Sequence, residues 1–483
     1  MKILNEIINA LVTFSNWFWG IPVLILIGGG GLIICFVIGW PQLRHMHYIN
    51  GQTFGKMFAK TEKKEGAVSP FAAACTALAS SIGASNIVGV PVAIAMGGPG
   101  AVFWIWILAI VGMGTKYVEV ALGIRYRVRN EKGELMGGPY YYCKSGFKEM
   151  AKEHGKKWLA KFGVVLGTIY AFFLMLEIFT ACATQSASCT NQFVAYGIDQ
   201  KVIAAVVAVI VAVVCIGGVK RIASVCDKMV PFMATIYLVG GLVLILMNIK
   251  AVPEAFALIF KDAFTGEAAV GGFGGASMAM AIRWGAARGV YSNEAGMGTA
   301  PQGHAAADVD HPIRQAMWGV FEVTVDTLIV CSITALAILT TGVWKLEDAT
   351  KNQAALAQDA FRSGFGAGFA DLFIAVCVFL FVLSTIIVIV FYGERQAEFL
   401  FGMKFSKVWR WVYIIATFLG GLGLEIETLW ALTDFFTFLY VLPNMTAVIL
   451  LSPQVRRMEK EFFHTKDRYY LADVAAKHAA KSK

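Results

Sequence analysis

The sequence predicts an all-α polytopic membrane protein, and three observations support this fold class. Of the 483 residues, 58% are hydrophobic and 15% are charged, whereas an ordinary soluble domain has roughly 45–50% and 25%. Residues 66–115 form a run of fifty positions without Asp, Glu, Lys or Arg, which is too long for one membrane crossing at about 1.5 Å per residue. Further charge-poor segments of about 20 residues follow. We therefore expect one transmembrane domain over residues 1–483 and exclude a soluble enzyme.

Apolar windows bounded by glycine and proline predict eleven transmembrane helices. The first charge-free stretch, from Ile7 to Leu43, is longer than a signal-peptide core and ends in no A-x-A cleavage site, so we expect a retained helix at 17–41. The other ten predicted spans, numbered two to eleven, are 69–95, 99–124, 162–187, 202–218, 229–249, 273–299, 315–342, 367–392, 408–424 and 428–452.

The distribution of Lys and Arg predicts the orientation of these helices. Alternate loops carry 32 and 7 of these residues, and the cytoplasmic loops are expected to hold the excess. The N-terminus then lies outside and the tail, residues 454–483, lies in the cytoplasm, with the chain in the plasma membrane of a bacterium. Because the basic residues behind the net charge of +9 lie between spans, the topology signal accounts for them, and we expect the lipid bilayer but no nucleic acid as a partner. The nine cysteines, mostly in apolar segments, indicate packing rather than metal binding.

Ten of the eleven spans divide into two sets of five, which predicts an internal repeat. The sets cover residues 68–249 and 272–453, and both are close to 182 residues long. Because five is odd, the second set crosses the membrane in the opposite sense, as in an inverted repeat preceded by one extra helix. A repeat of this kind predicts that the first helix of each half is discontinuous.

Both of these first helices contain sequence that disfavours a continuous helix. Span two has small and polar residues from Ser80 to Asn86, with Pro91 one turn later, and span seven has Gly285 and Gly289 at its centre. Small residues in a span are also typical of close helix packing. Their matching positions in the two halves favour breaks instead, and non-helical backbone at this depth is tolerated only where it is buried or lines a cavity.

Charged residues inside the spans need partners. Arg283 and Arg288 lie in span seven, and an isolated charge at mid-bilayer costs roughly 2.5–3.5 kcal/mol even on a lenient scale. We expect Glu294 of the same segment or Asp326 of span eight to pair with them. Asp326 is equally open to a role in ion coupling.

Two further polar groups lie within apolar helices. Ser384 and Thr385 are neighbours in span nine, where their hydroxyls can bond back to their own helix or, if they face span two, bind a cation such as Na⁺. In span four, Glu177, Thr184 and Ser188 share one helix face, with Gln185 beside it. The Gln185 amide could bind a polar substrate or bond to a neighbouring helix.

Three motifs resemble the alanine/glycine:cation symporter family. They are GGPGAVFWIWILAIVG at 97–112, ARGVYSNEAGMGTAPQGHAAA at 287–307 and YGER at 392–395. In the first motif Ile105 stands where the family usually has Met. The resemblance covers residues 17 to 455 and implies the leucine-transporter fold with cotransport of a small neutral amino acid and Na⁺.

The resemblance also implies the site residues. Na⁺ would be bound by backbone carbonyls near Ala79 and Ile82 and by the hydroxyls of Ser384 and Thr385. Ile389 departs from the Trp usual in alanine carriers, which enlarges the expected pocket and keeps glutamine or another neutral amino acid open. The substrate would contact both breaks and the neighbouring helices, at Gly83, Ala84, Ser85, Asn86, Gln185, Gly285, Gly289, Thr385 and Ile389.

The sequence therefore predicts a symporter that imports alanine or glycine with Na⁺ by alternating access, and no other cofactor. A proton-coupled carrier would need a titrating carboxylate in the pathway, and Glu177 or Asp326 could serve. An intramembrane enzyme is disfavoured because all seven histidines lie outside the predicted span interiors and the sequence contains no nucleophile or metal motif. A channel would not require a matched pair of broken helices.

Overall fold

The computed structural model describes residues 2–57, 67–194, 196–265, 278–345 and 353–465. The start of predicted span seven, 273–277, and the tail from 466 onward lie outside these residues. The helices up to residue 265 are α1 (Lys2–Phe18), α2 (Ile21–Val23), α3 (Gly30–Ile38), α4 (Pro41–Arg44), α5 (Met46–Gln52), α6 (Pro70–Ser81), α7 (Val90–Gly97), α8 (Gly100–Arg125), α9 (Pro139–Glu153), α10 (Lys157–Val194), α11 (Gln200–Ile216), α12 (Gly218–Met247) and α13 (Val252–Thr265).

The remaining helices complete the second half of the described chain. They are α14 (Met278–Asn293), α15 (Ala300–His304), α16 (Pro312–Val323), α17 (Ser332–Thr341), α18 (Leu356–Phe365), α19 (Ala367–Phe401), α20 (Met403–Gly420) and α21 (Ile426–His464). Three π-helical segments continue these helices at Leu24–Gly29, Ser85–Gly89 and Thr324–Cys331, and short 3-10 turns lie at Phe54–Lys56, Ile249–Ala251, Val343–Lys345 and Gln353–Ala355. Strands β1 (Val128–Arg129) and β2 (Leu135–Met136) form an antiparallel hairpin in which Val128 pairs with Met136.

Seven helical segments of the described chain are long and apolar enough to cross a membrane, and a bent pair makes an eighth. The segments are Ile21–Ile38, Gly100–Arg125, Lys157–Val194, Gly218–Met247, Pro312–Thr341, Ala367–Phe401 and Ile426–His464. The other three predicted spans coincide with α11, α14 and α20, of which α11 and α14 have 17 and 16 residues and α20 carries three basic side chains. The protein is a multi-pass helical membrane protein, while the count of eleven, the inverted repeat and the orientation stay predictions.

The first predicted break is present. Pro70–Ser81 and Ser85–Gly97 meet at an angle of 47°, and the bend falls at residues 82–84 within the predicted stretch. The helix starts at the Ser69 cap, whose hydroxyl accepts from the Ala72 amide at 3.1 Å, and Pro70 occupies the first turn. The polar sequence from Ser80 to Asn86 therefore marks a real discontinuity.

The second predicted break is displaced from its expected position. Helix α14 continues without interruption through Gly285 and Gly289 and ends at Asn293. The chain is non-helical between α14 and α15, where Glu294, Gly296 and Gly298 all have positive φ. The prediction for Gly285 and Gly289 was wrong because both glycines are helical, and Gly285 allows close packing on α8 rather than a change of backbone direction.

Helix packing places the discontinuous segments in one part of the molecule. Helix α8 packs against α14 and α16, and α6 packs against α12, α15 and α19. Helix α10 packs against α19, α20 and α21. The two breaks consequently lie between α8 on one side and α10 and α19 on the other.

The close contact between α14 and α8 gives a matched pair of substitutions. A Cβ atom at Gly285 would lie 2.4 Å from the Ala101 carbonyl oxygen, whereas a Cβ at Gly289 would be no closer than 3.4 Å to its nearest neighbour in Ile105. Gly285→Ala should lower stability by about 1–3 kcal/mol through overpacking, and Gly289→Ala should leave it unchanged or slightly higher. The melting temperatures of the purified variants test this, and equal values would contradict the packing role of Gly285.

Candidate functional site

A buried cavity lies between the two breaks and helices α10, α19 and α21. The centre of a water molecule can occupy a volume of about 50 Å³ inside it. One water needs roughly 10–15 Å³ on this measure, so the cavity has room for a few waters or a small polar solute. The described residues that line it are Ser80, Ser81, Gly83, Ser85, Leu174, Glu177, Ile178, Ala181, Gln185, Tyr291, Glu294, Met297, Thr299, Thr385, Ile389, Tyr392, Thr437 and Tyr440.

The first break is held by the Asn86 side chain. The Gly83 amide donates to Asn86 Oδ1 at 3.1 Å, and Asn86 Nδ2 donates to Asp326 Oδ1 at 2.7 Å and to Ser292 Oγ at 3.1 Å. Ser292 Oγ in turn donates to Asp326 Oδ2 at 2.8 Å. Asn86 and Asp326 both lie in π-helical segments, and together with Ser292 they connect the first break to the end of α14.

The second break is held from α8 and α21. Lys116 Nζ donates to the carbonyl oxygen of Asn293 at 2.6 Å, at the end of α14, and Glu119 Oε1 accepts from the Gly298 amide at 3.0 Å. Asn444 Nδ2 donates to Glu119 Oε1 at 2.7 Å and to the Gly296 carbonyl at 2.8 Å. These contacts satisfy backbone groups that leave the helix inside the protein.

The Lys116 ammonium is also paired with a carboxylate. Glu322 lies 3.3 Å from Lys116 Nζ and accepts from the His304 ring, whose other nitrogen contacts Gln315 at 2.7 Å. Gln315 donates to the Pro70 carbonyl at 3.1 Å, at the start of α6. This network therefore connects both discontinuous helices to α8 and α16.

The predicted pairing of the two span-seven arginines is wrong. Arg283 donates to the Asn16 carbonyl at 3.0 Å, and Arg283 and Arg288 lie over the Trp284 ring at 5.3 and 5.4 Å. Glu294 instead accepts from Thr299 Oγ1 at 2.5 Å and from Ser80 Oγ at 3.2 Å. The Arg283 guanidinium is accommodated by a backbone carbonyl and the Trp284 ring, and Arg288 lies over the same ring and interacts electrostatically with Asp434 rather than with Glu294 or Asp326.

The residues expected to bind a cation lie where α6 meets α19. Thr385 Oγ1 is 3.0 Å from the Ala79 carbonyl oxygen, across the two helices. Ile82 is the C-cap that directly follows α6, and its carbonyl belongs to the break. The Ser384 hydroxyl donates to its own helix at Phe381 and lies 3.5 Å from Met233 Sδ of α12. In this conformation the two neighbouring hydroxyls therefore face different helices.

Two polar side chains of α10 face the cavity without a partner. Gln185 is 7% exposed, and its Oε1 atom has no hydrogen-bond partner among the described residues. Glu177 is 8% exposed and lines the same cavity. Both positions favour contact with something that enters the cavity.

The predicted site residues divide into three groups. Seven of them line the cavity, namely Gly83, Ser85, Glu177, Gln185, Glu294, Thr385 and Ile389. Ala79, Ile82, Ala84, Asn86, Ser384 and Asp326 lie next to it without lining it, and Gly285, Gly289, Arg283 and Arg288 belong to the part of α14 that precedes the break.

Several aromatic residues of the cavity were missed by the sequence analysis. Tyr291 packs edge-on against Trp19, at 5.6 Å, and Trp430, at 5.2 Å, so the segment before α2 and helix α21 both support its ring. Tyr392 belongs to the YGER motif, which was noted only as a sequence signature. Tyr440 lies in a helix whose apolar sequence gives no indication of a pocket.

The rest of the YGER motif anchors the end of α19. Arg395 lies 2.8 Å from Glu134 of the hairpin and 2.8 Å from Glu398, and Glu394 pairs with Arg410 of α20. Partial burial raises the pKa of Glu134, but the lowering effect of Arg395 is larger, so the pKa lies below its ordinary value. The hairpin is consequently fixed to α19 by charge.

A multi-pass helical protein whose discontinuous helices meet at a buried polar cavity has the architecture of a secondary transporter. The chain belongs to the sodium:alanine symporter family, whose sequence model matches residues 1–475.

Three relatives illustrate the similarity. The uncharacterized transporter YflA of Bacillus subtilis is 43% identical over 95% of this chain and 94% of its own length. The sodium/alanine symporter AgcS of Methanococcus maripaludis is 35% identical over 95% and 97%. The probable sodium/glutamine symporter GlnT of Bacillus subtilis is 31% identical over 98% and 96%.

Proposed function

We propose that the protein imports a small neutral amino acid, alanine or glycine, together with Na⁺. The observation that carries this proposal is the cavity beside the first break, which is lined by Gly83, Ser85 and Gln185 and where the Gln185 oxygen has no partner among the described residues. The amides that begin a helix attract a carboxylate, and an amide oxygen accepts from an ammonium group. The two ends of the cavity wall therefore complement the two charged groups of an amino acid.

Na⁺ would bind where α6 and α19 approach each other. Its ligands would be the Ala79 and Ile82 carbonyls and the hydroxyl of Thr385, with Ser384 joining after a change of rotamer. A bound ion would hold the first break against α19 and fix the backbone beside it, so that Na⁺ and the amino acid strengthen each other's binding. Alternating access would follow from rocking of the discontinuous helices against a scaffold that contains α10, α11, α19 and α20.

Alanine, glycine and glutamine are the candidate substrates. AgcS and GlnT are named for alanine and glutamine respectively, and the chain is similar to both. The small cavity favours alanine or glycine. Ile389 in the cavity wall, where alanine carriers usually have Trp, favours a larger neutral amino acid.

Counterflow in proteoliposomes tests the function. Vesicles loaded with unlabelled alanine should accumulate labelled alanine when Na⁺ is present and should fail to do so in choline. A panel of glycine, alanine and glutamine, with Li⁺ and pH varied, identifies the substrate and the coupling ion. Equal uptake without Na⁺ at fixed pH would overturn Na⁺ coupling and favour a proton-coupled carrier.

The hydroxyl at position 385 should set the Na⁺ requirement. Thr385→Ala removes the only side-chain oxygen that contacts the Ala79 carbonyl among the described residues, and we expect the Na⁺ concentration for half-maximal uptake to rise at least about tenfold, equivalent to about 1.4 kcal/mol. Thr385→Ser keeps the hydroxyl and serves as the matched control. Ser384→Ala should have the smaller effect, because that hydroxyl faces α12. Unchanged Na⁺ dependence in Thr385→Ala would contradict the proposed ion site.

Ile389 should influence substrate size. Ile389→Trp fills part of the cavity wall, so any uptake of glutamine should fall relative to that of glycine and alanine. Ile389→Leu conserves volume and should leave the ratio unchanged. Competition by each amino acid against labelled alanine measures the ratio, and an identical ratio in Ile389→Trp would exclude this residue from the substrate contact.

A further inference from the structure

Besides Asp326, which accepts from Asn86 and Ser292, three carboxylates of the described residues lie at or beside the cavity, and two of them have partners. Glu294 accepts two hydroxyl hydrogen bonds, from Ser80 and Thr299, and the Lys116 ammonium binds the carbonyl of the preceding residue, Asn293. The negative charge of Glu294 is therefore stabilised within the protein.

Asp434 of α21 is the second partnered carboxylate. Ser15 Oγ donates to its Oδ2 atom at 2.5 Å, and the positive charge of Arg288 acts on it. A hydroxyl donor and a nearby guanidinium accommodate an ionised side chain in a buried position.

Glu177 differs from both. Its side chain is 92% buried and lines the cavity, and its carboxylate has no hydrogen bond or salt bridge to any residue in the described ranges. The cavity-lining residues of those ranges include no Lys, Arg or His. An ionised Glu177 would thus face a buried cavity with nothing to balance its charge.

The groups packed around Glu177 do not supply a positive charge either. Lys201 lies in the first turn of α11, near the C-terminal end of α10 and away from Glu177. Helix α9 contacts α10 around Gly163 and Gly167, which is more than two helical turns before Glu177. The titratable groups that interact electrostatically with Glu177 are all neutral or acidic. They are Cys182 of α10, Tyr291 of α14, Glu294 of the second break, Tyr413 of α20, and Asp434 and Tyr440 of α21. Tyr392 of α19 lines the same cavity.

An unbalanced carboxylate at this depth takes up either a proton or a cation. We propose that Glu177 holds a proton while the cavity is empty and releases it when a monovalent cation, Na⁺, enters. The O–H bond of the Glu177 carboxyl group breaks, the proton passes to water in the cavity, and the entering cation balances the carboxylate that is left. This inference rests on the proposed function.

The position of Glu177 separates this role from that of Gln185. The two residues are eight positions apart on α10, or about 12 Å along the helix, which exceeds the length of alanine. Glu177 therefore does not duplicate the proposed contact of Gln185 with the substrate. It lies deeper along the same wall, towards the predicted cytoplasmic end of α10, where a cation leaving the site would pass.

Proton release on ligand binding tests the inference directly. The purified full-length protein is kept in a weakly buffered detergent solution that contains a pH-indicator dye. NaCl, choline chloride, alanine, or NaCl with alanine is then added, and calorimetry measures binding in parallel. We expect NaCl, with or without alanine, to release up to one proton per protein, whereas release by alanine without Na⁺ would contradict displacement by Na⁺. The apparent Kd of Na⁺ should rise up to tenfold for each pH unit lowered, because Na⁺ and the proton compete for one site.

Three variants complete the test. Glu177→Gln resembles the protonated carboxyl group, so it should fold, bind ligand with a pH-independent Kd and release no proton. Glu177→Asp retains a carboxyl group and should still release one, and Glu427→Gln makes the same change on an exposed residue of α21 and should behave as the unmodified protein.

The outcomes separate this inference from the proposed function. Ligand binding without proton release, or proton release that persists in Glu177→Gln, would overturn the role of Glu177 alone. Absence of binding of Na⁺ and amino acids to the unmodified protein would overturn the proposed function and this inference with it.

Discussion

The cavity depends on one face of α8, which holds the backbone where α14 stops. Lys116 and Glu119 are three residues apart and so share that face, and they bind the Asn293 carbonyl and the Gly298 amide on either side of the break. An unpaired buried backbone group costs about 1–3 kcal/mol, so an unwound segment without these partners would revert to helix or admit water. With them, Glu294 is held at a positive φ and its side chain points into the cavity.

The multi-pass helical class of the protein was readable from the sequence because membrane burial restricts the choices. Hydropathy places helices where the structure has them, and the polar stretch up to Asn86 located the first break. The second break was missed because glycine has two uses in a helix. Gly285 lies against the Ala101 carbonyl and remains helical, whereas Gly296 and Gly298 adopt positive φ. Only the tertiary contact distinguishes the two uses.

The site was predicted in part, for a related reason. Side chains such as Gln185 and Thr385 were identifiable because a polar group is costly in an apolar helix unless it has a hydrogen-bond partner or a ligand. Their partners were not identifiable, since Arg283 uses a backbone carbonyl and an aromatic ring and the Ser384 hydroxyl faces α12 instead of α6. Helix rotation and rotamer choice decide such pairings, and neither is encoded in residue spacing alone.

The hydrogen bonds among Asn86, Asp326 and Ser292 have a mechanical consequence. Asp326 accepts from a side chain on each of the two discontinuous helices, so separating one helix from the other would strip donors from a buried carboxylate, at about 1–3 kcal/mol for each lost partner. At thermal energies such a separation is rare. In the proposed alternating-access cycle the two helices would therefore tilt together, which would suppress a half-open intermediate through which an ion could leak without the amino acid.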